Sequence, residues 1–458
     1  MLGSGTTIVV DIGKTLSKVT LWDRAGRLLD RVERPNAGCT VDGLRRLDID
    51  GIGAWLVESL GRFAGHPVEA IVPVGHGAGV VALGADGPLF APLDYEQPLP
   101  AEVMTAYRAE RDPFAHTGSP ALPDGLNLGS QLFWLDLLHP DAMTRATLVP
   151  WAQYWAWFLS GEAVSEVTSL GCHSDLWLPA EGRFSPLAQR LGWAARFAPL
   201  AAAGDTIGTL RPALAAQTGL PESVRVLAGL HDSNAALLAA RGFAAMAQGD
   251  ATLLSTGTWF VGMRLPAGPV DLAALPGERD CLVNVDVAGR SVPSARFMGG
   301  REVELLGDRI DLPGTDGLAD ALIDTAMVLP AQVRGCGPFP DRIGRWINRP
   351  ADPQARAAAI ALYAALMTDA SLDLIGARGT LLIEGRFARG ELFTRALATL
   401  RPDMAVHAAA AEADVAFGAL RLLWPDLPPP GALARVEPLD RDLFAYRDEW
   451  YDDMDAFA

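Results

Sequence analysis

Two aspartates in this chain stand where a carboxylate can do chemistry. Asp232 follows His231 in VLAGLHDSNAALLAA (226–240), where a short apolar run ending at Gly229 gives way to an alanine-leucine helix pattern. That is the C-terminal edge of a strand, where α/β proteins carry their reacting groups. A carboxylate there can accept a hydroxyl proton and hold the oxygen in line with a γ-phosphate. The plainer reading of Asp232 is a helix N-cap, a position that favours Asp. His231 beside it weighs against that reading, and Asn234 reads as structural. Asp11 closes the apolar run TTIVVDI and precedes the turn Gly13-Lys14-Thr15. Beside a phosphate its carboxylate would hold Mg²⁺, directly or through water, because Mg²⁺ takes few carboxylates and fills its shell with waters and phosphates.

The turn at Gly13 has a counterpart far downstream. VVDIGKTLSKVTLW and LLSTGTWFVGM each run from an apolar strand through a polar residue, a spacer and a glycine into a second strand, with Gly13 and Gly257 about half the chain apart. The repetition suggests two related domains, each opening with a β-hairpin. One such hairpin alone is an ordinary β-turn. Two of them can aim backbone N–H groups and the hydroxyls of Thr15, Thr256 and Thr258 at a triphosphate, glycine allowing the close approach. GKT at 13–15 is not a P-loop, because Ile8 stands where that motif needs glycine. GHGAG (75–79) is not a dinucleotide fingerprint either, because Val80 stands in place of the third glycine.

The elements that must position these residues alternate strand with helix. The opening reads as strand, turn, strand, turn, strand, with DRAG (23–26) as the second turn. VEAIVPVGHG (68–77) is a strand entering a glycine-rich loop, and GVVALGADGPLFAPLDYE (79–96) resembles a further hairpin. GLNLGSQLFWLDLLHP (125–140) is a helix bounded by Asn127 and His139-Pro140. PWAQYWAWFLSG (150–161) is an aromatic helix whose rings read as core packing. Helices are expected in 352–377, 391–402 and 412–424, the last as the final helix, with a buried strand at GTLLIEG (379–385). The acidic tail 448–458 reads as solvated. Strands alternating with helices mean α/β architecture.

Composition narrows the function. The chain has 458 residues, too many for one core, so two domains are expected, 1–245 and 246–458, divided just before the second hairpin. With 38 Lys and Arg against 55 Asp and Glu, the net charge of −17 repels nucleic acid and anionic membranes, and neither is expected as a partner. Cys39, Cys172, Cys281 and Cys336 are scattered, without CxxC or metal-ligand spacing, as expected of thiols in a reducing cytoplasm. The N-terminus lacks the pattern of a signal peptide, and no uninterrupted apolar run reaches membrane-spanning length. A cytoplasmic protein is expected.

VVDIGKT, GLHDSNA and LSTGTW, in this order and at these separations, resemble the FGGY family of carbohydrate kinases, within the actin–hexokinase–Hsp70 superfamily. HD with GTW is most similar to the branch holding L-rhamnulokinase and L-fuculokinase. The resemblance covers nearly the whole chain. It implies two ribonuclease-H-like (actin-like ATPase) α/β domains with a cleft between them, and ATP and Mg²⁺ as cofactors. It further implies Asp232 as general base and Asp11 as the metal-associated carboxylate. Gly13, Lys14 and Thr15 would form the first phosphate turn, and Thr256, Gly257 and Thr258 the second. LLIEGRF (381–387) resembles the adenosine motif, which would put Gly385, Arg386 and Phe387 at the nucleotide. Here the sequence departs from the family, which has consecutive glycines where Glu384-Gly385-Arg386-Phe387 stands. His231 would lie at the sugar together with His76, Gly77, Asp94, Tyr95 and His173. Taken singly, His76 and His173 also read as structural histidines, and Asp94-Tyr95-Glu96 as a solvated turn.

The reading that follows is an ATP-dependent kinase of a sugar hydroxyl, with a ketose such as L-fuculose, L-rhamnulose or a pentulose as substrate. Self-association as a homodimer is left open. The alternatives are a non-sugar ATPase of the same superfamily and a sugar-binding regulator without catalysis.

Overall fold

The computed structural model describes residues 5–247, 249–307, 314–409 and 415–457. Strand β1 (Thr6–Ile12) is buried at all seven positions. A β-branched strand with no exposed face belongs in mid-sheet, covered on both sides. The chain turns at Gly13 into β2 (Leu16–Asp23), antiparallel to β1, and then into β3 (Leu28–Pro35), antiparallel to β2. After the helix Ile49–Gly61, β4 (Val68–Gly75) lies on the other side of β1 and parallel to it. With β5 (Thr206–Thr209), β6 (Arg225–Leu227) and β7 (Leu230–His231) the sheet runs β5-β6-β4-β1-β2-β3, and β7 extends the pairing at the end of β4.

The second sheet repeats this plan. Its strands are β8 (Ala251–Thr256), β9 (Phe260–Leu265), β10 (Cys281–Val285), β11 (Ser291–Phe297), β12 (Thr380–Gly385), β13 (Ala405–Ala409) and β14 (Leu433–Arg435), in the order β10-β11-β9-β8-β12-β13-β14. β8, β9 and β11 form the antiparallel meander that β1, β2 and β3 form in the first. β12 is parallel to β8 as β4 is to β1, β13 is parallel to β12 as β6 is to β4, and an antiparallel strand closes both edges. The likeness read from two hairpins therefore extends through six strands. Both sheets have the ribonuclease-H-like order that the resemblance implies.

The chain forms two compact units. One holds Met1–Gly242, Val283–Ser291 and Asp414–Pro428, and the other holds Phe243–Leu282, Val292–Ala413 and Pro429–Ala458. Within the first unit, the helix Val415–Leu420 packs on the helix Asp232–Ala240. Gly418 lies so close to the Ala235 carbonyl that a Cβ would overlap it, and Phe417 lies against Gly26. Residues 412–414 of the expected final helix lie outside the described residues, and Val415–Leu420 is not the last helix.

Two sequence expectations are corrected. Val80–Leu83 forms no hairpin with the residues after it beyond one bridge, Leu83 to Pro88. It pairs instead with Thr147–Pro150. Pro88 and Pro92 lack the N–H a second strand would need. The tail is not solvated: Phe444–Ala456 is a helix whose Tyr446, Trp450 and Met454, one turn apart, are buried. Trp450 Nε1 donates to Val328 O at 2.7 Å and Tyr446 Oη to Ala326 O at 2.6 Å. The helix expected over 352–377 forms at Pro353–Leu374; it is long and apolar enough to cross a membrane by length and composition, but 83% of its apolar window is buried. Asp352 caps it through Ala355 N, Pro353 opens it, and it serves as the central core helix of the second unit.

Candidate active site

Strand register aligns the three strand ends that matter. In the parallel pairs, Ile12 stands beside Gly75 and His231 beside Gly75. Neighbouring strands lie about 4.8 Å apart. The residues that leave these strands, Gly13, His76 and Asp232, therefore emerge along one edge of the first sheet.

At β1, Asp11 is buried, with Lys18 Nζ 3.9 Å from its Oδ2. Gly13 N donates to Leu16 O at 3.1 Å and closes the turn. Asn36, unnoticed in the sequence, braces it: its Nδ2 donates to Gly13 O at 2.8 Å and its backbone N to Thr15 O at 2.8 Å. Among the described residues no three His, Cys, Asp or Glu side chains gather to hold a metal. One carboxylate beside a phosphate turn nevertheless fits Mg²⁺, which draws its remaining ligands from phosphate and water.

Lys14 does not extend from its turn as a phosphate cation. Its ammonium pairs with Asp94, lies 3.7 Å from Glu96 and stands 4.8 Å above the Tyr95 ring. The Gly13 turn is thus tied to the loop 94–96 by a partly buried ion pair. A pocket of about 400 Å³ opens beside them, lined in part by Lys14, Asn36, Arg45, Asp94 and Trp151. Burial, then the charges of Glu96, Asp94 and Asp232, push the Tyr95 hydroxyl up to about 12, so it remains a donor.

His76 sits among aromatic rings, stacked on Trp151 at 5.3 Å and edge-on to Tyr95 at 5.4 Å. Trp151 Nε1 in turn donates to Ile12 O at 3.0 Å. Trp151 had read as plain core; it also forms the floor of the His76 site. His76 Nδ1 donates to Gly77 O at 2.6 Å, which leaves Nε2 an acceptor, buried and without a partner among the described residues. Burial lowers the His76 pKa and keeps the ring neutral. Gly77 is required by close approach: a Cβ would stand 2.7 Å from Cys172 Sγ and 3.0 Å from His231 Nε2. His173 lies in the same segment at φ +38°, in the left-handed region, with Nδ1 donating to Leu126 O at 2.7 Å.

His231, expected at the sugar, is only 5% exposed. Its Nε2 is 3.1 Å from Asp232 Oδ1 and 3.5 Å from Cys172 Sγ. Its backbone N donates to Thr168 Oγ1 at 3.0 Å, and that hydroxyl donates to Glu166 Oε2 at 2.5 Å. Asp232 is the first residue of its helix, with His231 at the cap position. Its Oδ1 accepts from Ser233 N at 2.6 Å and Ser233 Oγ at 3.3 Å. The side chain is 30% exposed. Asp232 thus meets one backbone N–H of the first helical turn with one oxygen, and its carboxylate stays accessible.

In the second unit, the turn after β8 has its own support. Thr256 Oγ1 donates to Glu384 O and accepts from Phe387 N at 3.1 Å. Gly257 and Thr258 are exposed, and Gly257 N donates to Trp259 O at 3.0 Å. Gly385 has φ +83° and ψ −165°, a region reserved for glycine, and a Cβ there would overlap the Thr256 carbonyl. Arg386 is exposed. Phe387 is corrected: its ring is buried against Phe260 at 4.8 Å and Phe393 at 6.0 Å, so it cannot cover a base. Only its backbone serves the turn.

Residues 248–430 match the family model for the C-terminal domain of carbohydrate kinase FGGY. An L-fuculokinase of Salmonella typhi is 27% identical over 350 residues, which cover 72% of this chain and 70% of that one. The crystal structure of a carbohydrate kinase from Novosphingobium aromaticivorans is 61% identical, covers 99% of both chains and superposes with a TM-score of 0.95. A ligand-bound xylulose kinase from Lactobacillus acidophilus shares the fold at 13% identity, with a TM-score of 0.78 over 99% of this chain and 97% of that one.

Proposed function

Because this chain belongs to the FGGY carbohydrate kinases, we propose that it phosphorylates a hydroxyl of a small neutral ketose from ATP with Asp232 as general base. The observation that carries this reading is the Asp232 carboxylate, partly exposed at the sheet edge and held through one oxygen. The Asp232 carboxylate takes the hydroxyl proton as the sugar oxygen bonds to the γ-phosphorus. The bond from that phosphorus to the β–γ bridging oxygen breaks, and ADP leaves. Asp11 would hold Mg²⁺, which supplies charge neutralisation at the phosphates. The backbone of the Gly13 turn and of Thr256, Gly257 and Thr258 would hold phosphates, with Arg386 near the nucleotide.

On the sugar side, the acceptor Nε2 of His76 suits a hydroxyl that donates. Lys14, neutralised by Asp94, offers no net charge to an anionic sugar acid. The Salmonella typhi relative is an L-fuculokinase, so L-fuculose heads the candidates, followed by L-rhamnulose and the pentuloses. ADP release should be measured over this panel for the parent and for Asp232→Asn. The amide keeps the shape but cannot take the proton, and turnover should fall roughly 10²- to 10⁴-fold with the fold intact. Near-normal turnover by the variant would sink the base assignment. Sugar binding without any ADP release by the parent would favour a regulator.

A further inference from the structure

We infer that Asp94 sets the charge of the sugar this kinase accepts: by holding the Lys14 ammonium it denies that cation to a sugar acid, and the site takes neutral sugars. This rests on the kinase reading above and deepens it by naming the residue that decides. Lys14 leaves the Gly13 turn toward the residues expected at the sugar. Its ammonium stands 4.8 Å above the Tyr95 ring, and that ring meets His76 edge-on at 5.4 Å. Trp151, the floor of the His76 site, also lines the pocket of about 400 Å³ that Lys14 and Asp94 line. The Lys14 side chain is 17% exposed and that of Asp94 only 4%, so water screens the pair little.

The pocket beside them is balanced charge by charge. Its charged lining residues are Lys14, Arg45, Asp48, Asp94 and Glu96. Asp94 holds Lys14, with Glu96 3.7 Å from the same ammonium. Arg45 Nη1 lies 3.9 Å from Glu96 Oε2, and Asp48 Oδ2 accepts from Arg34 Nη2 at 2.6 Å. Among the described residues, a carboxylate entering this pocket meets no cation that lacks a carboxylate of its own. It would give up its water without gaining an unmatched partner, which costs binding. A sugar hydroxyl meets no such cost, because it can donate to a carboxylate. The weight falls on Asp94, since the Glu96 side chain is 54% exposed and its attraction for Lys14 is screened.

The test compares the ketose turned over fastest in the panel with the aldonate of the same carbon skeleton, L-fuconate where that ketose is L-fuculose. The readout is the ratio of the aldonate's inhibition constant to the ketose KM. In the parent the aldonate should be the weaker ligand by at least about tenfold. Asp94→Asn keeps the shape and removes the charge, so the ratio should fall about ten- to a hundredfold, the scale of one hydrogen bond between charged groups. Adding Lys14→Met to that variant should restore the parent ratio, which a general loosening of the site would not do. Glu96→Gln, at an exposed position, should shift the ratio in the same direction by less, about threefold. A parent that binds the aldonate as tightly as the ketose overturns the inference without any variant. So does an unchanged ratio in Asp94→Asn or, if that protein fails to fold, in Glu96→Gln. A lower KM for ATP in Asp94→Asn with the ratio unchanged would make Lys14 a phosphate cation and overturn it too. A parent that turns over no sugar would instead refute the kinase reading itself, and the inference falls with it, so the two failures are distinct.

Discussion

Glu166 makes a stability measurement informative about the support of the site. Its side chain is fully buried, Oε2 accepts from Thr168 N, Thr168 Oγ1 and Ser169 N, and Oε1 has no partner. Burial raises its pKa from the ordinary glutamate value, 4.5, to about 7, and the three bonds only partly offset this. In the folded protein Glu166 therefore keeps a proton that the unfolded chain has released. Stability falls as pH rises through the window from about 4.5 to about 7, and the penalty is complete above it. At 1.36 kcal/mol per pH unit the full penalty is about 3 kcal/mol. Glu166→Gln cannot ionise. Its NH₂ group occupies the place where Oε1 finds no partner and costs about 1–3 kcal/mol, independent of pH. The useful quantity is therefore how the difference between variant and parent changes with pH. From pH 5 to pH 8 that difference should move about 2.5 kcal/mol in favour of the variant. Thermal unfolding should show a relative gain in Tm of roughly 3–5 °C. Asp175 and Asp369 are also raised by burial, but both proteins contain them and their effect cancels. Parallel curves of Tm against pH for the two proteins would refute the account.

Two further outcomes follow from packing. Gly385→Ala places a Cβ in a glycine-only conformation and against the Thr256 carbonyl, so it should destabilise by at least about 1–3 kcal/mol and raise the KM for ATP more than that for the ketose; an unchanged ATP KM would separate Gly385 from the phosphate turn. Trp450→Ala empties a fully buried site and orphans Val328 O, so denaturant unfolding should show a loss of about 3–5 kcal/mol. A loss below about 1 kcal/mol would return the C-terminal helix to the solvated tail read from its acidity.

What was legible in the sequence was what is local. Both hairpins, the helix behind Asp232 and the long alanine-rich helix follow from turn residues, caps and periodicity within one window. What was hidden depends on partners far along the chain. Val80–Leu83 finds its strand at Thr147–Pro150, and Lys14 finds its carboxylate at Asp94. Trp151 looked like one aromatic among several in a core helix, and only the packing of His76 on it gives it a place in the site. Phe387 was read as a nucleotide contact because it follows the glycine turn, but an aromatic beside two other phenylalanines gains more by joining the core. The tail misled because its five acids, Asp448, Glu449, Asp452, Asp453 and Asp455, stand without a single base. The spacing of Tyr446, Trp450 and Met454 was the available signal of a buried helix face. Asn36 gave no signal at all, since its bracing of the turn consists of two bonds to residues more than twenty positions earlier.

The helix Val415–Leu420 has a consequence for biosynthesis. It completes the packing of Asp232–Ala240 and covers Gly26, yet it leaves the ribosome more than 170 residues after Gly242. At translation rates of about 5–20 residues per second, the first unit waits on the order of 10–30 s for it. During that interval the nascent first unit exposes the apolar surface that Phe417, Ala419 and Leu420 will cover. The two halves therefore cannot mature strictly one after the other. A fragment ending near Gly242 should need a chaperone, or the missing helix supplied as a separate peptide, to stay in solution.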